Sequence, residues 1–421
     1  MLRADSNKKS KVLIVAYYFP PYPRVGGRRW AKHAKYLYRA GMPLEIICGE
    51  FLNQVSAWQD DIKEYEKYIT RIELKPLYKP WFERHQPKSF IGKIKWQLSY
   101  QWWKRRKTRL IGNYRDTSTP NIESFWSIIQ NKLNKGEIGT VILTAGPFNY
   151  TELLIRVKQF HPDIKCILDY RDPWEESLTG LTQKQYDHSI NLRSRVHECV
   201  DLILTVNEDI SNKIRLQKPP CEVFTLPHCV DEDYIEFSKL SFSRDVSRDF
   251  KLAYGGELYG GMEEQMKELV AFIKTLVKKS SVAINVDLYV PYSSYETILD
   301  DCPNIKIHKA LSTKEYKNVL LNCDGILLFK SPLSSEAFFS SKFYEILCFN
   351  KPIVFFGPEG SVSKFIELNQ RGVHYSAGNP LKSLDLIEKY LKTGHFEIKP
   401  YNVSLHSFEY YTETLIKKLE L

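Results

Sequence analysis

Two glycine-rich loops, half a chain apart, contain the residues best suited to bind an anionic ligand. Each loop follows an apolar stretch typical of a buried strand and precedes a helical pattern. Because glycine has no Cβ atom, it lets backbone N–H groups approach an anion at the positive end of a helix dipole. The residues predicted to bind the ligand in these loops are Gly26, Gly27, Arg28, Gly255, Gly256, Tyr259, Gly260 and Gly261. The alternative interpretation of each loop is an ordinary flexible turn.

A third candidate segment opens a later helix. Ser340, Ser341 and Lys342 offer hydroxyl groups, N–H groups and one positive charge, a combination that suits a diphosphate. Glu345 follows one turn later and could accept hydrogen bonds from the paired hydroxyls of a ribose. The alternative is a capped surface helix with an exposed lysine and glutamate.

The segment Asp169–Trp174 brings two carboxylates, an arginine and a tryptophan to the end of a predicted strand. Asp172 could act as a general base or orient a hydroxyl, with Arg171 setting its charge. Trp174 could stack on a sugar ring. A structural Asp–Arg pair above a buried tryptophan is equally compatible with the sequence.

Residues 90–112 are both basic and aromatic. At helical spacing Trp96, Tyr100 and Trp103 fall on one side, next to a run of positive charge. Such a helix can lie in a membrane interface, clamp nucleic acid or pack as an insertion on its own domain. We favour the membrane because the overall charge is too mild for a dedicated nucleic-acid binder. The predicted membrane contacts are Trp96, Trp102, Trp103, Lys104, Arg105 and Arg106.

Length and composition favour a globular protein of two domains. The chain has 421 residues, of which 43% are hydrophobic and 26% charged. Sixty Lys and Arg against 50 Asp and Glu give a net charge of +10, which favours anionic partners without selecting one.

Eight isolated cysteines lack the spacing of a zinc site and predict buried thiols in a reducing compartment. We expect no bound metal and no cofactor. The apolar run at residues 12–19 is too short and too poorly flanked for a signal peptide, and no stretch reaches the roughly 20 apolar residues that span a bilayer. These observations predict a cytoplasmic protein that is peripheral on the inner membrane.

Strand and helix patterns alternate along the whole chain, which favours parallel sheets with crossover helices. We predict an N-terminal domain at residues 1–230, with the basic aromatic insertion at about 80–118. A C-terminal domain is predicted at 231–400, after a polar linker at 231–249, and a last helix at 401–421.

Several motifs, in order along nearly the whole chain, resemble those of family 4-type glycosyltransferases. They are Tyr17–Pro21, Gly26-Gly27, Arg29-Trp30, Ala145–Pro147, Asp169–Trp174, Tyr254–Gly261, Ser341-Lys342 with Glu345, and Lys351–Ile353. The resemblance implies a GT-B fold: two Rossmann-like doubly wound domains facing a cleft, with the C-terminal helix crossing back to the N-terminal domain. It also implies a nucleotide-sugar donor, no required metal, and retention of the anomeric configuration.

The resemblance further implies residue roles. The glycine loop of the C-terminal domain, Ser340–Lys342 and Glu345 would hold the diphosphate and ribose, and Gly27 would close on the donor. Asp172 and Arg171 would lie near the reacting centre. The family often has two glutamates with seven residues between them; here the first position is Ala337, and Glu336 is displaced by one residue. The family's basic residues after the first C-domain strand are replaced by Leu258 and Met262.

These features predict a glycosyltransferase that moves a sugar from a nucleoside-diphosphate sugar to a glycan or lipid-linked acceptor in bacterial surface polysaccharide synthesis. Asp172, Arg171 and Glu336 are the catalytic candidates. We expect no nucleic-acid partner. Two alternatives stay open: a nucleotide-sugar epimerase of the same fold, and a non-catalytic glycan- or membrane-binding protein.

Overall fold

Two parallel sheets with crossover helices account for both halves of the chain. The computed structural model describes residues 10–22, 25–51, 56, 58–75, 89–111, 116–178, 180–258, 260–291, 293–332, 341–375, 380–399 and 401–420. The chain divides into unit 1, Met1–Pro227 with Thr412–Leu421, and unit 2, His228–Tyr411. The last helix therefore begins in unit 2 and ends in unit 1, as the predicted C-terminal crossover requires.

Unit 1 contains a seven-stranded sheet in which every pair of neighbours is parallel, in the order β3-β2-β1-β4-β5-β6-β7. The strand order reverses between β1 and β4, which makes this the topological switch point. The strands are β1 (Lys11–Ala16), β2 (Leu44–Gly49), β3 (Ile69–Ile72), β4 (Ile138–Ala145), β5 (Lys165–Tyr170), β6 (Leu202–Thr205) and β7 (Glu222–Thr225). Its helices are α1 (Arg28–Arg39), α2 (Phe90–Ile111), α3 (Ile122–Leu133), α4 (Glu152–Phe160), α5 (Gln183–Cys199) and α6 (Glu208–Arg215).

Unit 2 contains a six-stranded parallel sheet in the order β10-β9-β8-β11-β12-β13. The strands are β8 (Phe250–Gly255), β9 (Ile284–Val290), β10 (Ile305–Lys309), β11 (Gly325–Phe329), β12 (Ile353–Phe356) and β13 (Gly372–Tyr375). The helices are α7 (Glu232–Ile235), α8 (Glu263–Lys279), α9 (Glu296–Leu299), α10 (Thr313–Asn322), α11 (Ser341–Leu347), α12 (Ser361–Leu368), α13 (Pro380–Thr393) and α14 (Phe408–Glu420).

The switch point of unit 2 lies between β8 and β11. These two strands pair only where Leu252 faces Gly325 and Ala253 faces Ile326. Over their remaining residues, all of which the structure describes, no ladder continues, so the strands separate toward their carboxyl ends. Ligands of doubly wound sheets bind at such a separation, outside the carboxyl ends of the strands.

Helices cover both faces of the second sheet, and for this reason its central strands β11 and β12 are apolar and buried throughout, whereas β9 alternates and β10 is partly exposed. On one face α8 and α13 pack on residues such as Phe250, Leu252 and Leu288. On the other face α10, α11 and α12 pack on Ala253 and Ile326. The strand β11 is buried at all five positions.

The structure adds elements that the sequence did not predict and revises one that it did. The polar segment expected to be a linker at 231–249 contains α7 and a 3-10 helix, Glu236–Lys239, and it belongs to unit 2. The short strands β3 and β13 are new, as is α13. The strand β13 opens at Gly372, where φ is +152° and a Cβ atom would collide with the backbone of Ile353.

A buried ion pair joins three parts of unit 1. Asp169, on β5, is fully buried and accepts hydrogen bonds from Arg29 Nη2 at 3.0 Å and from Trp30 Nε1 at 2.7 Å. The same guanidinium donates to the carbonyl oxygens of Leu226 at 2.7 Å and Pro227 at 3.1 Å, after β7. These bonds satisfy both charges and attach the start of α1 to the carboxyl edge of the sheet.

We therefore expect Asp169→Ala to destabilise unit 1 by about 3–5 kcal/mol, because it leaves the Arg29 guanidinium buried without its counter-charge. Chemical denaturation followed by far-UV circular dichroism measures the change. The matched control is Asp60→Asn, which removes half of an exposed pair with Lys63 and is expected to leave unfolding unchanged. Equal stability of Asp169→Ala and the native chain would contradict this assignment.

Candidate functional site

The carboxyl ends of β1, β4 and β5 bring three predicted motifs together in unit 1. A Cβ atom added to Gly26 would collide with Nη1 of Arg171. One added to Gly146, where φ is +94°, would lie 3.4 Å from Nη2 of the same arginine and 3.6 Å from Oδ2 of Asp172. The Arg171 guanidinium therefore occupies the space that a Cβ atom at residue 26 would need. At Gly146 the guanidinium is at ordinary contact distance, and the positive φ is what favours glycine.

Arg171 and Asp172 form an ion pair that is partly open to solvent. Arg171 Nη2 lies 2.6 Å and Arg171 Nε 2.8 Å from Oδ2 of Asp172, and the two side chains are 21% and 34% exposed. Burial lowers and the Asp172 charge raises the pKa of Arg171, with a net rise above its usual value. The pair is accessible and charged, so it can contact a polar ligand.

Asp116 holds the turn that follows β4, and the sequence reasoning missed it. Its buried carboxylate accepts hydrogen bonds from the backbone N–H groups of Phe148 and Asn149, both at 2.7 Å, and from the N–H of Ser118 at 3.0 Å. Burial raises the pKa of Asp116, while these hydrogen bonds oppose the rise. The only sequence signal was an aspartate followed two residues later by a serine, a common turn pattern.

Trp174 is buried, so of the two interpretations the sequence left open, the structural tryptophan is the one observed. Only 1% of it is exposed; its ring packs on Phe148 with centroids 4.9 Å apart, and its Nε1 donates to Ser189 Oγ at 2.8 Å. Next to it Tyr170 hydrogen-bonds Nε2 of His197, on α5, at 2.6 Å. The segment after β5 thus combines a structural tryptophan with an accessible Arg171–Asp172 pair.

The basic start of α1 is buried. The guanidinium of Arg29 is hydrogen-bonded to the buried carboxylate of Asp169, and Arg28 is only 6% exposed. Gly27 packs closely on the chain at Phe19 and Pro20, with a Cβ atom there meeting their backbone at 3.3–3.4 Å. Among the predicted residues of this loop, Gly26 is the one that directly adjoins the Arg171–Asp172 pair.

In unit 2 the predicted donor-binding residues Gly255, Gly256 and Lys342 come together at the switch point. Lys342 Nζ donates to the carbonyl oxygen of Gly255. A Cβ atom at Gly256, where φ is +149°, would collide with Nζ of Lys342, and one at Gly255 would collide with the ring of Tyr316. Burial lowers the pKa of Lys342, while the charges of Glu345 and Glu257 oppose that change.

The rest of the glycine loop is anchored by apolar side chains. Leu258 and Met262 stand at the positions where the family that the sequence resembles has basic residues. They are 1% and 2% exposed and belong to the core. Gly261 has φ at +83°, and a Cβ atom at Gly260 would meet nothing within 4 Å. Lys342 is therefore the cation that this part of the described structure supplies next to Gly255 and Gly256.

Some predicted residues cannot be compared with the structure. Tyr259, Glu336 and Ser340 lie outside the described residues. The backbone of Ser341 begins α11, but its side chain is outside the described part. Glu345 lies on α11, half-buried and close enough to Lys342 to influence its charge.

The helix expected in the basic aromatic segment is present as α2, while its contact with a membrane stays a prediction. Trp96 and Tyr100 are half-buried and their rings stack, with centroids 5.4 Å apart. Trp102 is 60% exposed. Ile91, Ile94 and Leu98, which the prediction did not include, are exposed as well. Arg105 is exposed, and the side chains of Trp103, Lys104 and Arg106 lie outside the described residues.

Within the described ranges, no three side chains of the types that bind metals come close enough to share an ion. Metal-independent action stays a prediction. All eight cysteines are described, and none forms a disulfide. A search of the described helices finds none with the length and apolarity needed to cross a bilayer.

Comparisons with known proteins bear on the fold. No family model matches the sequence, and no curated protein matches it either. Among solved structures, sucrose-phosphate synthase from Thermosynechococcus elongatus aligns with a TM-score of 0.61 at 8% identity, over 98% of both chains. The lipopolysaccharide outer core galactosyltransferase WaaB aligns with a TM-score of 0.56 at 11% identity, over 97% of this chain and 99% of that one.

A third similar structure is a UDP-GlcNAc 2-epimerase from Neisseria meningitidis bound to UDP-GlcNAc. It aligns with a TM-score of 0.52 at 11% identity, over 97% of this chain and 99% of the epimerase. Identities this low show the fold alone. The predicted GT-B fold, built from two Rossmann-like α/β units, is confirmed.

The buried His197 predicts a pH dependence of unit 1. Burial, with a smaller contribution from Arg193, lowers the pKa of His197 from 6.5 to about 4. Between these values the unfolded chain binds the proton more readily, so stability is complete above pH 6.5 and falls by up to about 3 kcal/mol toward pH 4. Denaturation at several pH values should show this loss for the native chain and a smaller one for His197→Gln.

The control for this prediction is His188→Gln, which replaces an exposed histidine on the same helix. We expect it to follow the native pH dependence. If the free energy of unfolding changes with pH equally in the native chain and in His197→Gln, the imidazole of His197 does not contribute to the pH dependence.

Proposed function

We propose that this protein is a glycosyltransferase that uses a nucleoside-diphosphate sugar. The acceptor is a glycan or a lipid-linked glycan of bacterial surface polysaccharide synthesis, at the cytoplasmic face of the membrane. The main observation behind the proposal is that Lys342 contacts Gly255 and Gly256 at the switch point of unit 2. Lys342 offers an ammonium group to a diphosphate there. The N–H of Gly256 already donates to the carbonyl oxygen of Tyr289 at 3.0 Å, so the backbone contacts we propose are the N–H groups of Gly260 and Gly261, later in the loop.

The donor proposal also draws on the comparisons. The similar structures include a galactosyltransferase and an epimerase bound to UDP-GlcNAc, each aligned over 97% of this chain and 99% of its own. In our proposal the diphosphate contacts the loop from Gly255 to Gly261, and Glu345 accepts the ribose hydroxyls. The ammonium of Lys342 exchanges its contact with the Gly255 carbonyl for a phosphate oxygen.

In unit 1 we propose that Asp172 and Arg171 contact the reacting sugars. Their accessible ion pair, next to the glycine backbones at 26 and 146, could orient an acceptor hydroxyl. Glu336 remains the third proposed catalytic residue, on the resemblance alone. In a glycosyl transfer the main catalytic contribution of the protein is to stabilise the departing diphosphate. Backbone amides and a lysine can do this without a metal. Retention of the anomeric configuration is part of the proposal.

The second candidate function is a nucleotide-sugar epimerase, which the similarity to several epimerase structures favours specifically. The two reactions separate in one experiment. An epimerase converts the donor when no acceptor is present, whereas a transferase releases the nucleoside diphosphate and needs an acceptor for sustained turnover. Absence of binding by any nucleoside diphosphate in a calorimetric titration would favour a non-catalytic glycan- or membrane-binding protein instead.

The glycine loop supplies a sharp test of the donor site. We expect Gly256→Ala to weaken nucleoside-diphosphate binding by about tenfold or more, because strain of this kind costs about 1–3 kcal/mol and the new Cβ atom displaces Lys342. The matched control is Gly360→Ala, outside the proposed site in the same unit, where the added methyl also meets no atom within 4 Å. Isothermal titration calorimetry measures both, and equal affinities for the two variants would contradict the site.

A substitution of Lys342 tests whether its ammonium group stabilises the departing diphosphate. With a matched donor and acceptor, Lys342→Met should lower turnover by about a hundredfold or more, as loss of a preorganised electrostatic donor typically does. The control, Lys364→Met, removes an exposed lysine of the same unit and should leave turnover unchanged. Thermal unfolding checks that both variants fold. Native turnover in Lys342→Met would refute the assignment of this residue.

A further inference from the structure

Helix α2 exposes a row of large apolar side chains. The exposed fractions are 78% for Phe90, 68% for Ile91, 46% for Ile94, 66% for Leu98 and 60% for Trp102. Residues spaced by four advance about 40° around a helix per step, so these side chains stay on one side over three turns. Water is a poor environment for such a continuous apolar surface.

The other side of the same helix carries the aromatic pair. Trp96 and Tyr100 lie roughly opposite the exposed row at 3.6 residues per turn, and their rings stack with an interplanar angle of 3°. Both are half-buried. The helix therefore has a half-buried aromatic side and an exposed apolar side. We call the exposed residues Phe90, Ile91, Ile94, Leu98 and Trp102 the apolar row.

The charge of this helix is entirely positive. Its 22 residues include seven Lys and Arg and no Asp or Glu. Lys93, Lys95 and Arg105 are exposed, between and beside members of the apolar row. A surface that combines apolar side chains with basic ones is complementary to an anionic bilayer, where acyl chains accept the former and headgroups the latter.

We propose that the apolar row is a docking surface for an anionic lipid bilayer, on which α2 lies parallel to the membrane plane. The inference concerns where the enzyme works and does not depend on the proposed reaction. Of the membrane contacts predicted from the sequence, this face keeps Trp102, leaves out the half-buried Trp96, and adds aliphatic side chains.

Two other occupants fit the charges and side chains less well. Nucleic acid would pair with the lysines but would leave aliphatic residues such as Ile94 and Leu98 without an apolar partner. A second copy of the chain would cover the apolar row but would bring two sets of seven positive charges together, which is repulsive at close range. The bilayer satisfies both features at once.

The test is co-sedimentation of the full chain with vesicles, without nucleotide or acceptor. We expect binding to vesicles of phosphatidylglycerol with phosphatidylcholine, little binding to phosphatidylcholine alone, and weakening by salt. The double variant Ile94→Gln with Leu98→Gln should bind about tenfold more weakly or worse. The charge variant Lys93→Glu with Lys95→Glu should lose about as much.

The matched control is Leu216→Gln, which replaces an equally exposed leucine, 81% accessible, elsewhere in unit 1. It should bind as the native chain does. Native-like vesicle binding by both double variants, or no preference of the native chain for anionic vesicles, would overturn the proposal. So would size-exclusion chromatography in which Ile94→Gln with Leu98→Gln splits a dimer while vesicle binding is unchanged, since the occupant would then be a second copy.

Failure of this proposal and failure of the proposed function are distinguishable. Vesicle binding is read without a substrate, and nucleotide titration is read without a membrane. If the chain binds nucleoside diphosphates but does not bind anionic vesicles, only the proposed docking surface is refuted. Thermal unfolding of each variant confirms that lost binding does not come from lost folding.

Discussion

In each unit a cation sits where a Cβ atom would otherwise be. The Arg171 guanidinium lies against Gly26 and Gly146 in unit 1, and the Lys342 ammonium lies against Gly256 in unit 2. Both positions are at the carboxyl edge of a parallel sheet, around its switch point. The missing Cβ atoms of Gly26 and Gly256 leave the space that these two cations occupy, and each candidate binding region depends on that space.

The cations can hold these positions because the surrounding chain is rigid. In unit 1 Asp169 binds the start of α1 to the sheet, and Asp116 fixes the turn that carries Gly146. In unit 2 the buried side chains of Leu258, in the middle of the glycine loop, and Met262, directly after it, anchor the loop in the core, and Tyr316 fills the space beside Gly255. A loop with four glycines would otherwise lose much conformational entropy on ordering, and these contacts offset that loss.

The fold alone does not select a reaction, because transferases and epimerases share it. Both kinds of enzyme must bind a nucleotide sugar, so the arrangement in unit 2 is compatible with either. The difference lies in whether a second molecule receives the sugar. The apolar row of α2 adds a separate consideration, since a surface suited to a bilayer is more useful to an enzyme whose acceptor is attached to lipid.

The sequence by itself determined the fold class, the alternation of strands and helices, and the convergence of its glycine loops with Lys342 and with Asp172. These follow from local patterns, because carboxyl ends of parallel strands must share one edge. Tertiary structure decided the rest. It buried Arg28, which was predicted to bind the ligand, and Trp174, which could have stacked on a sugar. It also left Trp96 half-buried while exposing Leu98. Which side chain is covered depends on contacts with residues distant in the chain, such as Asp169 with Arg29, and no local pattern contains that information.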